Sequence, residues 1–169
     1  MTPLHEVIIN KKTTINHIWI MRQAGRYLPE FKEIRKKNPN FIELCLNHKL
    51  SSEITLQPIK RFDLDAAIIF SDILMLPYGL NQKVDFKKNF GPVLGNLDIK
   101  SMSKIDEIDF VEKIYPVYKA IESVSLEMTS KNKNTIGFVG APWTLLVYMI
   151  NQQSPKKNVK KDFFEDAFL

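Results

Sequence analysis

The sequence predicts an α/β protein with parallel strands, and three stretches carry that prediction. Residues 66–70, Ala-Ala-Ile-Ile-Phe, form a continuous apolar run without alternation, as expected of a strand covered on both faces. Residues 135–140, Thr-Ile-Gly-Phe-Val-Gly, form a second run of the same kind. Between them, residues 106–130 place Val111, Ile114, Tyr118, Ile121, Val124 and Met128 at three- and four-residue steps, the period of an amphipathic helix. Strand, helix, strand and a further helix, in that order, describe a parallel sheet with helical crossovers.

The remaining elements follow from local signals. Residues 1–16 are polar and short of periodicity, which predicts an arm leading into the brief apolar segment 18–21. From Glu30, the spacing of Phe31 and Ile34 predicts a short amphipathic helix that fails near Asn38-Pro39-Asn40, and Phe41, Leu44 and Cys45 resume helical spacing. Ser51 or Ser52 is a suitable N-cap for a helix through Ile54, Leu56 and Ile59, kinked or ended by Pro58. Pro77 and Gly79 close the segment after the first strand, and residues 84–86 and 92–94 predict a hairpin around Asn89-Phe-Gly91. In the long helix Pro116 predicts a kink, and its aromatic residues are expected in the core. Pro142 or Thr144 opens the last clear helix, carrying Leu145, Leu146, Met149 and Ile150; residues 151–161 are lysine-rich and loop-like, and another amphipathic helix begins near Phe168.

Composition narrows the class of function. At 169 residues, 44% hydrophobic and 25% charged, the chain can bury one core, and one domain is expected. The formal charge of +5 suits an anionic ligand. The lysine runs, such as Lys36-Lys37 and Lys87-Lys88, lack the interleaved aromatics of a nucleic-acid surface, so no nucleic acid is expected as a partner. The single cysteine, Cys45, excludes an intrachain disulfide and reads as a small buried residue. Cys45 and His48 make only half of a metal-site spacing, and no metal is expected. No apolar run nears the roughly 20 residues that span a bilayer, and the N-terminus has no signal-peptide core, so a cytoplasmic protein without membrane association is expected.

The strongest chemical signal is Trp19-Ile-Met-Arg-Gln-Ala-Gly-Arg-Tyr-Leu-Pro-Glu-Phe31. Arg22 and Arg26 are four apart and separated by Gln23, Ala24 and Gly25, so both guanidinium groups face one side of the backbone whether it is helical or extended. A helix would hold the two anchor points about 6 Å apart and an extended chain about 13 Å apart. Gly25 permits close approach of a ligand or a positive φ, and Pro29 disfavours helix at Leu28, so an irregular, extended anion grip is expected. A solvated basic pair is the bland alternative.

Asp72 follows Ser71 at the C-terminal end of the first predicted strand, where loops converge in parallel-sheet and barrel folds. Its carboxylate serves a site there, or caps the turn at residues 73–76. Tyr148 lies one turn into the last helix, within reach of the same rim; it packs, or it contributes a hydroxyl.

The arginine segment, Leu64-Asp-Ala-Ala-Ile-Ile-Phe-Ser-Asp-Ile-Leu74, and Gly137-Phe-Val-Gly-Ala-Pro-Trp-Thr-Leu145 with Tyr148-Met149 together resemble the uroporphyrinogen decarboxylase family. The resemblance covers essentially the whole chain and implies the N-terminal half of a (β/α)8 TIM barrel, acting as a homodimer without cofactor or metal. It implies a tetrapyrrole substrate with eight carboxylates, four of whose acetate groups lose CO2. Arg22 and Arg26 then match the family's substrate-carboxylate contacts, with Gln23, Ala24 and Gly25 lining the same segment. Asp72 matches the catalytic aspartate facing the pyrrole N–H groups, and Tyr148 the tyrosine beside it.

The family's later serine or threonine and its C-terminal histidine have no counterpart here, so turnover is not expected of this chain alone; a complementary C-terminal half is one partner that would supply them. Corrinoid- or zinc-dependent methyltransferases share the barrel but differ at the grip. A non-catalytic porphyrin-binding or remnant fragment is the remaining alternative.

Overall fold

The computed structural model describes residues 2–11, 18 and 26–155. Along the chain the elements are helices α1 (Pro3–Asn10), α2 (Pro29–Lys37), α3 (Phe41–Leu46) and α4 (His48–Phe62), strand β1 (Ala66–Ile68), helix α5 (Met75–Gly79), strands β2 (Val84–Lys87) and β3 (Gly91–Leu94), helices α6 (Ile99–Met102) and α7 (Glu107–Ser130), strand β4 (Asn134–Ile136) and helix α8 (Pro142–Asn151). They fall into two units, Met1–Ser71 with Tyr115–Phe138 and Asp72–Ile114 with Val139–Leu169.

In the first unit the two apolar runs pair as parallel strands, Ala66 opposite Asn134 and Ile68 opposite Ile136. Helix α4 delivers Leu56 and Ile59, and α7 delivers Val124 and Met128, to one cluster with Leu64, Ala67 and Ile69. Ala120, Val124 and Met128, four residues apart, form the fully buried stripe of α7. Each helix start has a local cause. Leu28 is extended, as the following proline requires, and Pro29 occupies the first turn of α2, where its missing N–H costs nothing. The Asn40 side chain accepts from the N–H groups of Ile42 and Glu43 and so caps α3. Asn47 accepts from the Leu50 N–H at 3.1 Å and caps α4.

Several expectations are corrected here. The polar N-terminal segment is not an arm over its described part: residues 3–10 are helical, with Pro3 at the first position and Lys11 in the left-handed region after it. The cap of α4 is Asn47 and not Ser51 or Ser52; the helix starts three residues before Ser51, which leaves both serine hydroxyls inside it. Pro58 does not end α4, which runs four residues further to Phe62. Its ring is buried, and that packing offsets the lost helical hydrogen bond.

The second apolar run is strand only to Ile136, and Phe138 and Val139 are exposed. The Ile69 N–H donates to the Ile136 carbonyl at 3.1 Å, and among the described residues the ladder goes no further. Residues 137–140 therefore face no strand among the described residues. The tyrosines of α7 are not core: Tyr115 and Tyr118 are 50% and 43% exposed. They lie off the Ala120–Val124–Met128 stripe, and the Lys119 ammonium sits 5.4 Å from the Tyr115 ring centroid.

In the second unit, β2 and β3 form the expected antiparallel hairpin, Val84 opposite Leu94 and Lys87 opposite Gly91. Asn89 and Gly91 both take positive φ at its turn, as their residue types allow. The hairpin holds the end of α8: the Leu94 N–H donates to the Gln152 carbonyl at 2.8 Å, and the Gln82 amide donates to the carbonyls of Gly95 and Met149. Phe110 packs against Gly79, where a Cβ would lie 2.5 Å from the ring. Lys113 lies 4.7 Å from the Tyr78 ring centroid and donates to the Asn81 side chain, and partial burial pulls its pKa down.

Two outcomes are expected. Met128→Ala, which empties part of the cluster, should cost about 2–5 kcal/mol in urea unfolding. The Lys133 ammonium donates to the exposed Asp63 carboxylate at 2.5 Å, and that hydrogen bond, then the charge behind it, holds the Asp63 pKa below its ordinary 3.8. A carboxyl lowered in the folded state adds stability above its unfolded pKa and loses it as pH falls through the folded value. Lys133→Met should therefore make stability fall less steeply below about pH 4, measured as Tm against pH.

Candidate active site

The Ser71-Asp72 step leaves the sheet from Phe70, and Phe70 is held on every side. Its ring meets Phe31 of α2 and Phe41 of α3 edge-on, with centroids 6.0 and 5.7 Å away. Its N–H donates to the Thr55 hydroxyl at 2.8 Å, and its carbonyl accepts from the Ser51 hydroxyl at 2.7 Å. Thr55 in turn donates to the Ser51 carbonyl at 2.7 Å. Both hydroxyl residues are buried on α4. Ser51 was a candidate cap on sequence grounds and Thr55 was not singled out; the signal was two hydroxyls four apart on an otherwise apolar helix face.

Asp72 builds its own turn. Its Oδ1 accepts from the Leu74 N–H at 2.9 Å, and its carbonyl accepts from the Met75 N–H at 3.1 Å. The capping alternative is thus observed. That hydrogen bond restrains a half-buried carboxylate four residues past β1.

Within the second unit the Asp72 turn touches the segment that carries Tyr148. Gly140 is buried, and a Cβ there would lie 2.7 Å from Leu145 and 3.1 Å from the Cβ of Ile73. The loop before α8 therefore lies directly on the residue after Asp72, and α8 starts beside it. Leu145 is buried on the first turn of α8, and Tyr148 follows three residues later. The half-buried Tyr148 hydroxyl lies 3.4 Å from the Ser154 hydroxyl.

Arg26 is exposed in the turn Arg26-Tyr27 ahead of buried Leu28. Arg22, Gln23, Ala24 and Gly25 lie outside the described residues. The segment before them is anchored at Ile18, whose N–H donates to the Asp65 carboxylate at 2.7 Å and whose carbonyl accepts from the Asp65 N–H at 2.9 Å. Among the described residues, no cluster of three metal-ligating side chains occurs and no helix is long and apolar enough to cross a membrane.

Parallel strands with an anchored carboxylate four residues past the first of them define an α/β segment. The family model described as uroporphyrinogen decarboxylase (URO-D) matches residues 2–168. A uroporphyrinogen decarboxylase of Agrobacterium fabrum is 46% identical over 144 residues, which is 85% of this chain and 42% of that protein. Those of Rickettsia felis and Rickettsia canadensis are each 45% identical over 154 residues, 90% of this chain and 44% and 45% of theirs. The chain belongs to the uroporphyrinogen decarboxylase family. It spans less than half the length of these relatives.

The cap geometry gives a clean probe of Asp72. Asn in its place keeps an Oδ1 acceptor for the Leu74 N–H, whereas Ala does not. Asp72→Ala should lower stability by about 1 kcal/mol, and Asp72→Asn by clearly less, in parallel urea titrations. Equal losses would show that the cap bond is not what the carboxylate contributes to folding.

Proposed function

We propose that this chain supplies the N-terminal half of a uroporphyrinogen decarboxylase (β/α)8 barrel over residues 1–169, and that with a complementary C-terminal half it converts the four acetates of uroporphyrinogen III to methyl groups. The observation that carries the proposal is the anchored Asp72 carboxylate four residues beyond β1, in a chain of this family. The assembled enzyme is cytoplasmic, homodimeric and free of cofactor and metal.

The chemistry asks for two kinds of group. Eight carboxylates need fixed cations, and Arg22 and Arg26 suit them because a guanidinium stays charged and clamps a carboxylate through two parallel hydrogen bonds. Gln23, Ala24 and Gly25 line that contact. Decarboxylation begins with a proton added to a pyrrole ring carbon, which makes the ring cationic. The bond between CH2 and CO2 then breaks, its electron pair flows into the ring, and CO2 leaves. The exocyclic methylene next takes a proton to become methyl, and the ring carbon gives up the proton it first gained, which restores the neutral aromatic pyrrole.

Asp72, as an anion accepting from the pyrrole N–H groups, stabilises the cation in a water-poor cleft, where a preorganised charge counts most. Tyr148, which the family resemblance matches to the neighbouring tyrosine, serves as a hydroxyl partner. The arginines bind and do not deliver the proton, since guanidinium is a poor acid.

A second reading is a tetrapyrrole-binding chain without turnover. The two separate in one experiment. CO2 release from uroporphyrinogen III is assayed with the chain alone and with the remainder of a relative's sequence added, and uroporphyrin binding is titrated alongside. In the active combination Asp72→Asn should lower kcat about a hundredfold or more while leaving uroporphyrin affinity within a few-fold of the starting value. Undiminished kcat in Asp72→Asn would remove the carboxylate from the mechanism; binding without CO2 release in every combination would leave the fragment reading.

A further inference from the structure

We propose that Thr55, with Ser51 beside it, is a positioning residue for Asp72; this rests on the reading of Asp72 as the reacting-site carboxylate. A buried peptide group must be paired, and at Phe70 the sheet no longer does it. Ile69 is the last residue of the first run to donate into β4. One residue on, α4 takes over both polar groups of Phe70.

The pairing is directional. Thr55 commits its hydroxyl hydrogen to the Ser51 carbonyl, so a lone pair of the same oxygen faces the Phe70 N–H. Ser51 then closes the ring by donating to the Phe70 carbonyl. Three hydrogen bonds of 2.7–2.8 Å thus join residues 51, 55 and 70, in surroundings where such chains reinforce one another.

A further rung of sheet would have left Phe70 to the register of a neighbouring strand. Two hydroxyls on one rigid helix instead fix both ends of a single residue, and the rings of Phe31 and Phe41 fix its side chain. Asp72 is two residues away, and its own turn is closed by Leu74 and Met75. Only Ser71 separates the clamp from that turn. Thr55 and Ser51 are buried and act through the main chain.

The test uses amide hydrogen exchange and two-dimensional amide spectra of the full chain. In the unsubstituted protein the Phe70 amide should exchange as slowly as that of Ile69, and exchange at the rate of an open loop would overturn the clamp without any variant. Thr55→Val keeps the shape and removes the hydroxyl. It should speed exchange at Phe70 and Ser71 about tenfold or more relative to Leu56, and shift the Leu74 amide resonance. Thr55→Ser should restore both.

A Thr55→Val protein with a lower Tm but unaltered Ser71 and Leu74 amides would reduce the pair to stabilising the fold, and the proposal fails. Ser51→Ala, which deletes only the carbonyl's partner, should give the same pattern more weakly and serves if Thr55→Val does not fold; an unchanged Ser71 amide there also counts against positioning. These measurements need no tetrapyrrole, so their failure is separate from failure of the Asp72 reading, which turnover of Asp72→Asn decides.

Discussion

Capture of the Phe70 main chain by two hydroxyls of α4 is the constraint around which the first unit is arranged. A parallel strand that ends in the interior leaves peptide groups with nowhere to go, and each unpaired one costs on the order of 1–3 kcal/mol. Here the helix that precedes the strand solves the problem from one face, with residues four apart. The same helix sends Leu56 and Ile59 into the cluster with Val124 and Met128. A single rigid element thus supplies apolar packing along β1 and polar pairing beyond its end.

Such an ending frees the chain to turn. Once Phe70 is satisfied by side chains, Ser71-Asp72 need not continue a ladder, and the Asp72 carboxylate can organise the next turn by accepting from Leu74. Gly140 makes the matching concession on the other segment, since only a residue without a Cβ can lie this close to Ile73 and Leu145 unless they move. Strand ends in parallel folds are favoured sites for chemistry because loops there are relieved of sheet pairing while their roots are fixed. Asp72 lies on the segment after β1, and Tyr148 on α8 after β4.

Much of this was legible in the residues. The hairpin followed from Asn89 and Gly91, which tolerate positive φ, and from short apolar runs on either side of them. The helices α2, α3, α7 and α8 followed from spacing, and the start of α8 from Pro142, which is suited to a first turn. Failures came where a local signal met a distant partner. Ser51 looks like a cap when only its neighbours are considered, and Pro58 like a stop. Tyr118 keeps the helical step of the apolar residues yet faces outward, because spacing marks a stripe without saying how wide a neighbour will cover it.

By itself the sequence determined the class of fold, the parallel order of the two strands and the candidate residues, because hydrophobic period and turn chemistry are local properties written residue by residue. Only the tertiary structure decided where β4 stops, which side chains receive the Phe70 peptide groups, and how Asp72 is anchored. Those are questions of pairing between groups far apart in the chain. A hydroxyl or a carboxylate carries no mark of its partner until the backbone brings the two within hydrogen-bonding distance.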